Sequence, residues 1–269
     1  MDKFSVLMAV YKNDVPLELH HSLDSIFLNT VIPYEVVIIV DGPIGVEIQN
    51  VINIFSVRFN LVVKYLEENQ GLANALKIGI PLCSCDLIAR MDSDDICRAD
   101  RFRLQLDIFN SDSGIDIVGG WIEEFSEAED KQIRKTPEYH DDIVKFAKFR
   151  SPINHVSVMF KKQAVLKAGN YPQFRGIEDY PLWVNMIMTQ CKFYNIQVIL
   201  VDVRAGQNMI LRRSGYNYAK TEYAMIRNFY NINFISRFEF FYISVSKFFI
   251  RICPKSILSI AYKVVRKLK

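Results

Sequence analysis

The stretch DLIARMDSDD, residues 86–95, decides the fold. Its opening holds Leu87, Ile88, Ala89 and Met91, broken only by Arg90. That apolar density predicts a buried strand. The strand runs straight into Asp92-Ser93-Asp94-Asp95. Carboxylates crowded this way repel one another unless a cation neutralises them. Oxygen-only ligands suit Mg2+ or Mn2+. An acidic surface turn, capping a helix from Arg98, accounts for the same residues without a metal.

Upstream, residues 4–10 (FSVLMAV), 35–40 (EVVIIV) and 61–66 (LVVKYL) read as three more strands. Between them lie helical patterns. Asp14 and Pro16 start a helix whose Leu19, Leu23, Ile26 and Phe27 share one face. A helix over 45–56 buries Ile48, Ile52 and Phe55, and Asn69-Gln70-Gly71 opens another over 72–80. After the acidic cluster, Phe102, Leu106 and Phe109 mark a further helix. Strands alternating with helices predict βαβ units and a mostly parallel sheet. Right-handed crossovers put the carboxyl ends of these strands along one edge, where ligands of open α/β sheets bind. Tyr11, Asp41 and the Asp92–Asp95 cluster are therefore expected to converge.

After residue 114 the pattern changes. We expect a strand over 115–125, a helix over 140–149, a strand over 156–161 and a short helix ending near Gly169. Glu178-Asp179 then opens a helix to about 190. This half is expected to complete the same domain. From about 214 the chain reads as helical. Residues 238–250 are rich in Phe and Tyr, Pro254 breaks the helix, and 256–268 are amphipathic.

The chain has 269 residues and a net charge of +3, which conceals a split. Residues 240–269 contain seven bases and no Asp or Glu, leaving the first 239 at net −4. An acidic body argues against a nucleic-acid partner. A basic, apolar tail points to an anionic membrane surface, or to packing on the catalytic domain. Five cysteines with no CxxC pair suggest neither a disulfide framework nor a zinc site. The start, MDKFSVLMAVYKND, lacks a signal-peptide core, and no run approaches the roughly 20 apolar residues of a membrane span. The expectation is a cytoplasmic protein, peripheral on the inner face of a bacterial inner membrane.

Other residues invite chemistry. A carboxylate in Glu178-Asp179 suits a general base, and equally a helix start. Tyr11 can stack on a nucleobase, while Asp41 can accept from a base or ribose. Asn69, Gly71 and Asn74 line the same groove or simply open a helix. His155, just ahead of a strand, is an acceptor-side candidate. Trp183 suits the core or a sugar platform.

Taken in order, SVLMAVYKND, VIIVDG, ENQGLANALKIGI, ARMDSDDICRADRFRLQ and FRGIEDYPLW resemble family 2 glycosyltransferases with the GT-A fold. That is an α/β domain with a mostly parallel central sheet flanked by helices, here with a C-terminal helical appendage. The resemblance runs from about Phe4 to Arg213. It implies a catalytic domain over 1–213, with a nucleotide-sugar half to about 114 and an acceptor half to 213, and a tail over 214–269.

The resemblance also implies roles. Tyr11 lies beside the base with backbone groups of Ala9 and Val10; Asp41 binds uracil or its ribose. Asn69, Gly71, Asn74, Arg90 and Ser93 line the nucleotide. Asp92 and Asp94 form a DXD pair, Asp92 on ribose or metal and Asp94 on an Mn2+ or Mg2+ that bridges the diphosphate. Asp95 faces the donor sugar or the metal's surroundings, beside His155 and Trp183. Asp179 is the general base, Glu178 touches the acceptor, and Arg212 and Arg213 offset diphosphate charge. Many relatives carry a second acid after Asp41, where this chain has Gly42.

The implied reaction is inverting transfer of a hexose (Gal, Glc or an N-acetyl derivative) from a UDP-sugar to an undecaprenyl-diphosphate-linked saccharide. The β-glycoside so formed belongs to O-antigen or capsule assembly. Two rivals share parts of this pattern. A sugar-1-phosphate nucleotidyltransferase needs a Gly-rich basic loop after the first strand, which VYKNDVP is not. A non-catalytic nucleotide-sugar-binding module at the membrane needs no base opposite the metal.

Overall fold

The computed structural model describes residues 3–125, 131–174, 176–204 and 215–252, with side chains to Phe248. Two units emerge. The larger comprises residues 1–173 and 178–205, the smaller residues 174–177 and 206–269.

The larger unit begins as its hydrophobic periods dictate. Strands β1 (Phe4–Val10), β2 (Glu35–Val40), β3 (Leu61–Tyr65) and β4 (Leu87–Met91) alternate with helices α1 (Pro16–Phe27), α2 (Val46–Arg58) and α3 (Leu72–Leu82). All four strands pair in parallel, in the order β3-β2-β1-β4. Side-chain alternation divides the core. Val6, Met8, Val10, Val36, Ile38 and Val40 pack on one face, with α1 and α2. Leu7, Val37 and Ile39 face the other side, with α3. Gly79 lets α3 lie close to the sheet, since a Cβ there would stand 2.3 Å from Leu7 Cδ1.

Beyond β4 come β5 (Ile96–Cys97), α4 (Arg101–Ser111), β6 (Ile117–Phe125), β7 (Gln132–Arg134) and α5 (His140–Ala147). A 3-10 turn (His155–Ser157), β8 (Met159–Lys161), α6 (Lys162–Lys167), α7 (Asp179–Met188) and β9 (Phe193–Arg204) complete the unit. The sheet continues β4-β8-β6-β9-β5, with β7 on β6. β8 runs antiparallel to both neighbours, β6 and β9 pair in parallel, and β5 is antiparallel to β9.

Three expectations need correction. The sequence reading assigned no strand to 193–204, yet β9 spans all twelve residues. A register shift around Gly120, Trp121 and Ile122 on β6 accommodates its pairing. The strand expected over 156–161 is a 3-10 turn followed by a three-residue strand. The turn wins because Ser157 N donates to Asn154 O at 2.9 Å and Ser157 Oγ to the same oxygen at 2.8 Å. Asp14 does not cap α1: Val15 is the N-cap, and the Asp14 carboxylate turns back to accept from Tyr11 N at 3.0 Å.

In the smaller unit, helices α8 (Tyr216–Asn231) and α9 (Arg237–Ile252) pack together. The amphipathic stretch expected over 256–268 lies outside the described residues.

Candidate active site

Parallel register places the ends of the first strands side by side. Val10 pairs with Val40, and Met8 with Met91. Tyr11, Asp41 and Asp92 each follow directly, so the expected convergence at the carboxyl edge is present.

Asp92, Asp94 and Asp95 offer carboxylate oxygens that all lie within 4.8 Å of one another. The backbone beneath them is fixed: Ser22 Oγ of α1 donates to Asp92 O at 2.8 Å. Burial, then the Asp92 charge, pushes the Asp94 carboxyl up to about 6. Asp95 is buried, and its carboxyl is pushed well up by burial and then by the charges of Asp92 and Asp94. One Asp95 oxygen accepts from Arg204 N at 3.0 Å; the other, Oδ2, is buried with no hydrogen-bond partner among the described residues. Three crowded carboxylates and an orphaned buried oxygen suit a hard divalent cation.

A fourth acid belongs here, and the sequence reading gave it only to helix initiation. Asp14 is half-buried, and burial raises its carboxyl to about 6. Hydrogen bonds from Tyr11 N and the Ser93 side chain lower it, while the Asp94 and Asp92 charges raise it further. The spacing Tyr11-x-x-Asp14, one turn across the β1–α1 junction, was the available signal.

Arg90, expected near the nucleotide, is buried, with Nη1 donating to Asp92 Oδ2 at 2.7 Å and Nη2 to Asp92 Oδ1. Burial works against its charge, but the paired carboxylate keeps the guanidinium above its ordinary value. Arg90 therefore orients the Asp92 carboxylate.

Asp41 is likewise committed. Gln70 N donates to its Oδ1 at 2.7 Å; Gly71 N and Asn69 Nδ2 donate to Oδ2 at 2.9 and 3.0 Å. In the structure this buried carboxylate, expected on uracil or ribose, braces the 69–71 turn. Gly42 has a physical explanation: its φ is +89°, and a Cβ would lie 2.6 Å from Asn69 N. Asn74 bonds Gln70 Oε1 within the same loop. Val10 is buried with its carbonyl accepting from Asp41 N at 2.7 Å, Ala9 is half-buried, and Tyr11 is exposed. Ser93 is buried beside Asp14.

On the acceptor side, Glu178 is the N-cap of α7 and Asp179 its first residue. Both are half-buried, and Glu178 makes no side-chain capping bond. Ser151 Oγ donates to Asp179 Oδ2 at 3.0 Å, leaving the other oxygen clear of that bond. Tyr171 is buried, and burial raises its hydroxyl pKa, with the charges of Arg90, Asp179, Asp92 and Glu178 as further influences.

His155 shares a 2.7 Å hydrogen bond with that hydroxyl, and its ring meets Trp183 edge-on at 5.7 Å. Burial, then the Arg90 charge, holds its pKa well below the ordinary value, so the imidazole is neutral. Trp183 is fully buried, which removes it as a sugar platform: no ring face reaches solvent. Arg212 and Arg213 lie outside the described residues.

A mixed sheet of this order, with an oxygen-only acidic cluster at the carboxyl edge of its parallel strands, is the architecture of GT-A glycosyltransferases. The chain belongs to glycosyl transferase family 2, whose model matches residues 5–169. It is 40% identical, over 98% of this chain and 96% of the relative, to an Escherichia coli UDP-Gal:alpha-D-GlcNAc-diphosphoundecaprenol beta-1,3-galactosyltransferase. It is 34% identical to the amylovoran biosynthesis glycosyltransferase AmsE of Erwinia amylovora, covering 83% of this chain and 84% of AmsE. Among solved structures, the mannosyltransferase PcManGT of Pyrobaculum calidifontis, in complex with GDP-Man and Mn2+, shares the fold with a TM-score of 0.65. The identity is 14%, over 92% of this chain and 69% of that one.

Proposed function

We propose that this glycosyltransferase moves a hexose, galactose first among the candidates, from a UDP-sugar to a saccharide on undecaprenyl diphosphate, forming a β-glycoside. The observation that carries the reading is the cluster of Asp92, Asp94 and Asp95 carboxylates at the carboxyl end of β4, its oxygens within 4.8 Å of one another. The 40% identity to a galactosyltransferase with that class of donor and acceptor supports it. Residues 1–213 would form the catalytic domain, with the tail 214–269 toward the membrane.

Asp94, Asp92 and Asp95 would hold Mn2+ or Mg2+, which when bound offsets charge on the departing diphosphate. Asp179 takes the proton of the acceptor hydroxyl while that oxygen attacks the anomeric carbon. The bond from that carbon to the phosphate oxygen breaks, and UDP leaves with the bonding pair. One such displacement inverts the anomeric centre. Ser151 aims Asp179, Glu178 meets the acceptor, and Tyr11 stacks on the base. Arg212 and Arg213 would offset charge on the diphosphate.

The test is a donor screen against synthetic lipid-diphosphate-GlcNAc and -GalNAc, with and without Mn2+. UDP-galactose is expected to support metal-dependent transfer that leaves a β-linked product. Pyrophosphate release from UTP and a sugar phosphate, with no transfer from any donor, would overturn the reading.

A further inference from the structure

The smaller unit carries an apolar surface that catalysis leaves unused. On α9, Phe238, Phe241, Tyr242, Val245 and Phe248 are 88, 71, 66, 39 and 50% exposed. At 100° per residue they fall within an arc of roughly 120°. The other side of the helix holds buried Ile243 and Lys247, whose ammonium pairs with Glu222 of α8 at 3.0 Å. α9 is therefore seated on α8 by one face and turns its aromatic stripe outward. α8 presents a companion stripe: exposed Tyr216, Tyr223 and Tyr230 at seven-residue spacing, interleaved with exposed Lys220 and Arg227. Phe240 joins the helices, its ring centroid 6.0 Å from Tyr223 and 5.2 Å from Tyr230.

Charge selects the occupant. Residues 216–252 carry five bases against two acids, and the exposed Lys220 and Arg227 lie between the tyrosines, so an anionic surface is favoured over a second copy. An anionic lipid surface meets both demands at once. Its acyl boundary takes the Phe rings, its headgroup layer suits Tyr, and its phosphates attract Lys and Arg. No helix among the described residues is long and apolar enough to cross a membrane, so the unit would lie on it rather than through it. We propose that α8 and α9 dock in the plane of an anionic lipid surface, with Phe238, Phe241 and Phe248 entering the acyl boundary. The proposal rests on the lipid-linked acceptor proposed above, whose diphosphate would sit at that same depth.

The experiment uses the full chain, sedimented with vesicles of phosphatidylcholine alone or with about a third phosphatidylglycerol. Wild type is expected to co-sediment with the anionic vesicles and to be released by salt. The variant F238S/F241S/F248S should bind at least about tenfold more weakly, while F238L/F241L/F248L retains binding. Transfer to a short-chain, water-soluble diphosphate acceptor should be unchanged in both. Equal vesicle binding by the serine variant and wild type would overturn the proposal. So would equal wild-type binding to neutral vesicles, or a wild-type oligomer that the serine variant dissociates. Absence of transfer by wild type from every donor would count against the catalytic reading and leave the vesicle result to be judged separately.

Discussion

Ser151 Oγ donates to Asp179 Oδ2, and that contact sets the expectation for its substitution. Asp179→Asn keeps the Ser151 bond and removes the basic oxygen, so transfer should fall about 10²–10⁴-fold. UDP affinity, measured calorimetrically, should stay near wild type; near-normal turnover would remove Asp179 from the base role. Arg90 gives a second expectation. Arg90→Met leaves the half-buried Asp92 carboxylate without its guanidinium partner, costing about 1–3 kcal/mol in urea unfolding. In Arg90→Met/Asp92→Asn, part of that loss should return, because the two act as a pair. These roles divide by how much a residue's type reveals. The Asp92, Asp94 and Asp95 cluster was legible because crowded carboxylates after an apolar strand have few explanations. The contacts of Arg90 and Asp41 were not legible, because type and position do not say which way a side chain turns. Arg90 turns to Asp92, and Asp41 to the amides at 70–71.

At the scale of elements, β1 to β4 and their helices followed from local periodicity. β9 did not. Its sequence, FYNIQVILVDVR, mixes polar and apolar residues without clean alternation, because its neighbours change along its length. β6 lies beside it throughout, and β5 joins near its end. Arg98, just past β5, binds Asp202 through Nε and Nη2 and Glu123 through Nη2, tying the segment after the aspartates to β9 and β6. The packing of α3 on β1 yields another test. Gly79→Ala gains helix propensity of about 1 kcal/mol. It also drives a methyl into Leu7 and Ile39, an overpacking cost of about 1–3 kcal/mol. Both side chains are fully buried and have little room to swing aside, so we expect a net loss, seen as a lower urea midpoint. A rise would mean that Leu7 changes rotamer freely.

For the whole molecule, the buried acids link stability to pH and to metal. Asp14 and Asp94 have carboxyl pKa values of about 6 against an ordinary 3.8, so folding favours their protonated forms. Their stabilising contribution is complete below about 3.8 and is lost as pH rises through about 6. In chelator, Asp14→Asn should therefore show a flatter dependence of unfolding midpoint on pH than wild type between 4 and 6. Identical slopes would place Asp14 in water. Mn2+ at a hundred times its Kd should add about 2.7 kcal/mol at pH 7.5. The gain should shrink at pH 5, where protons compete for the same oxygens. An Mn2+-induced rise in Tm that is independent of pH would put the ion elsewhere.

By itself the sequence determined the parallel half of the sheet, the edge where ligands gather and the acidic character of that edge. These depend on periods of two and 3.6 residues and on runs of like charge, all local quantities. Only the tertiary structure decided that Asp41 braces the 69–71 turn, that Arg90 pairs with Asp92, and where β9 lies. Those outcomes turn on side-chain direction and on pairing between segments distant in sequence. Geometry of that kind is set by packing, and no single segment encodes it.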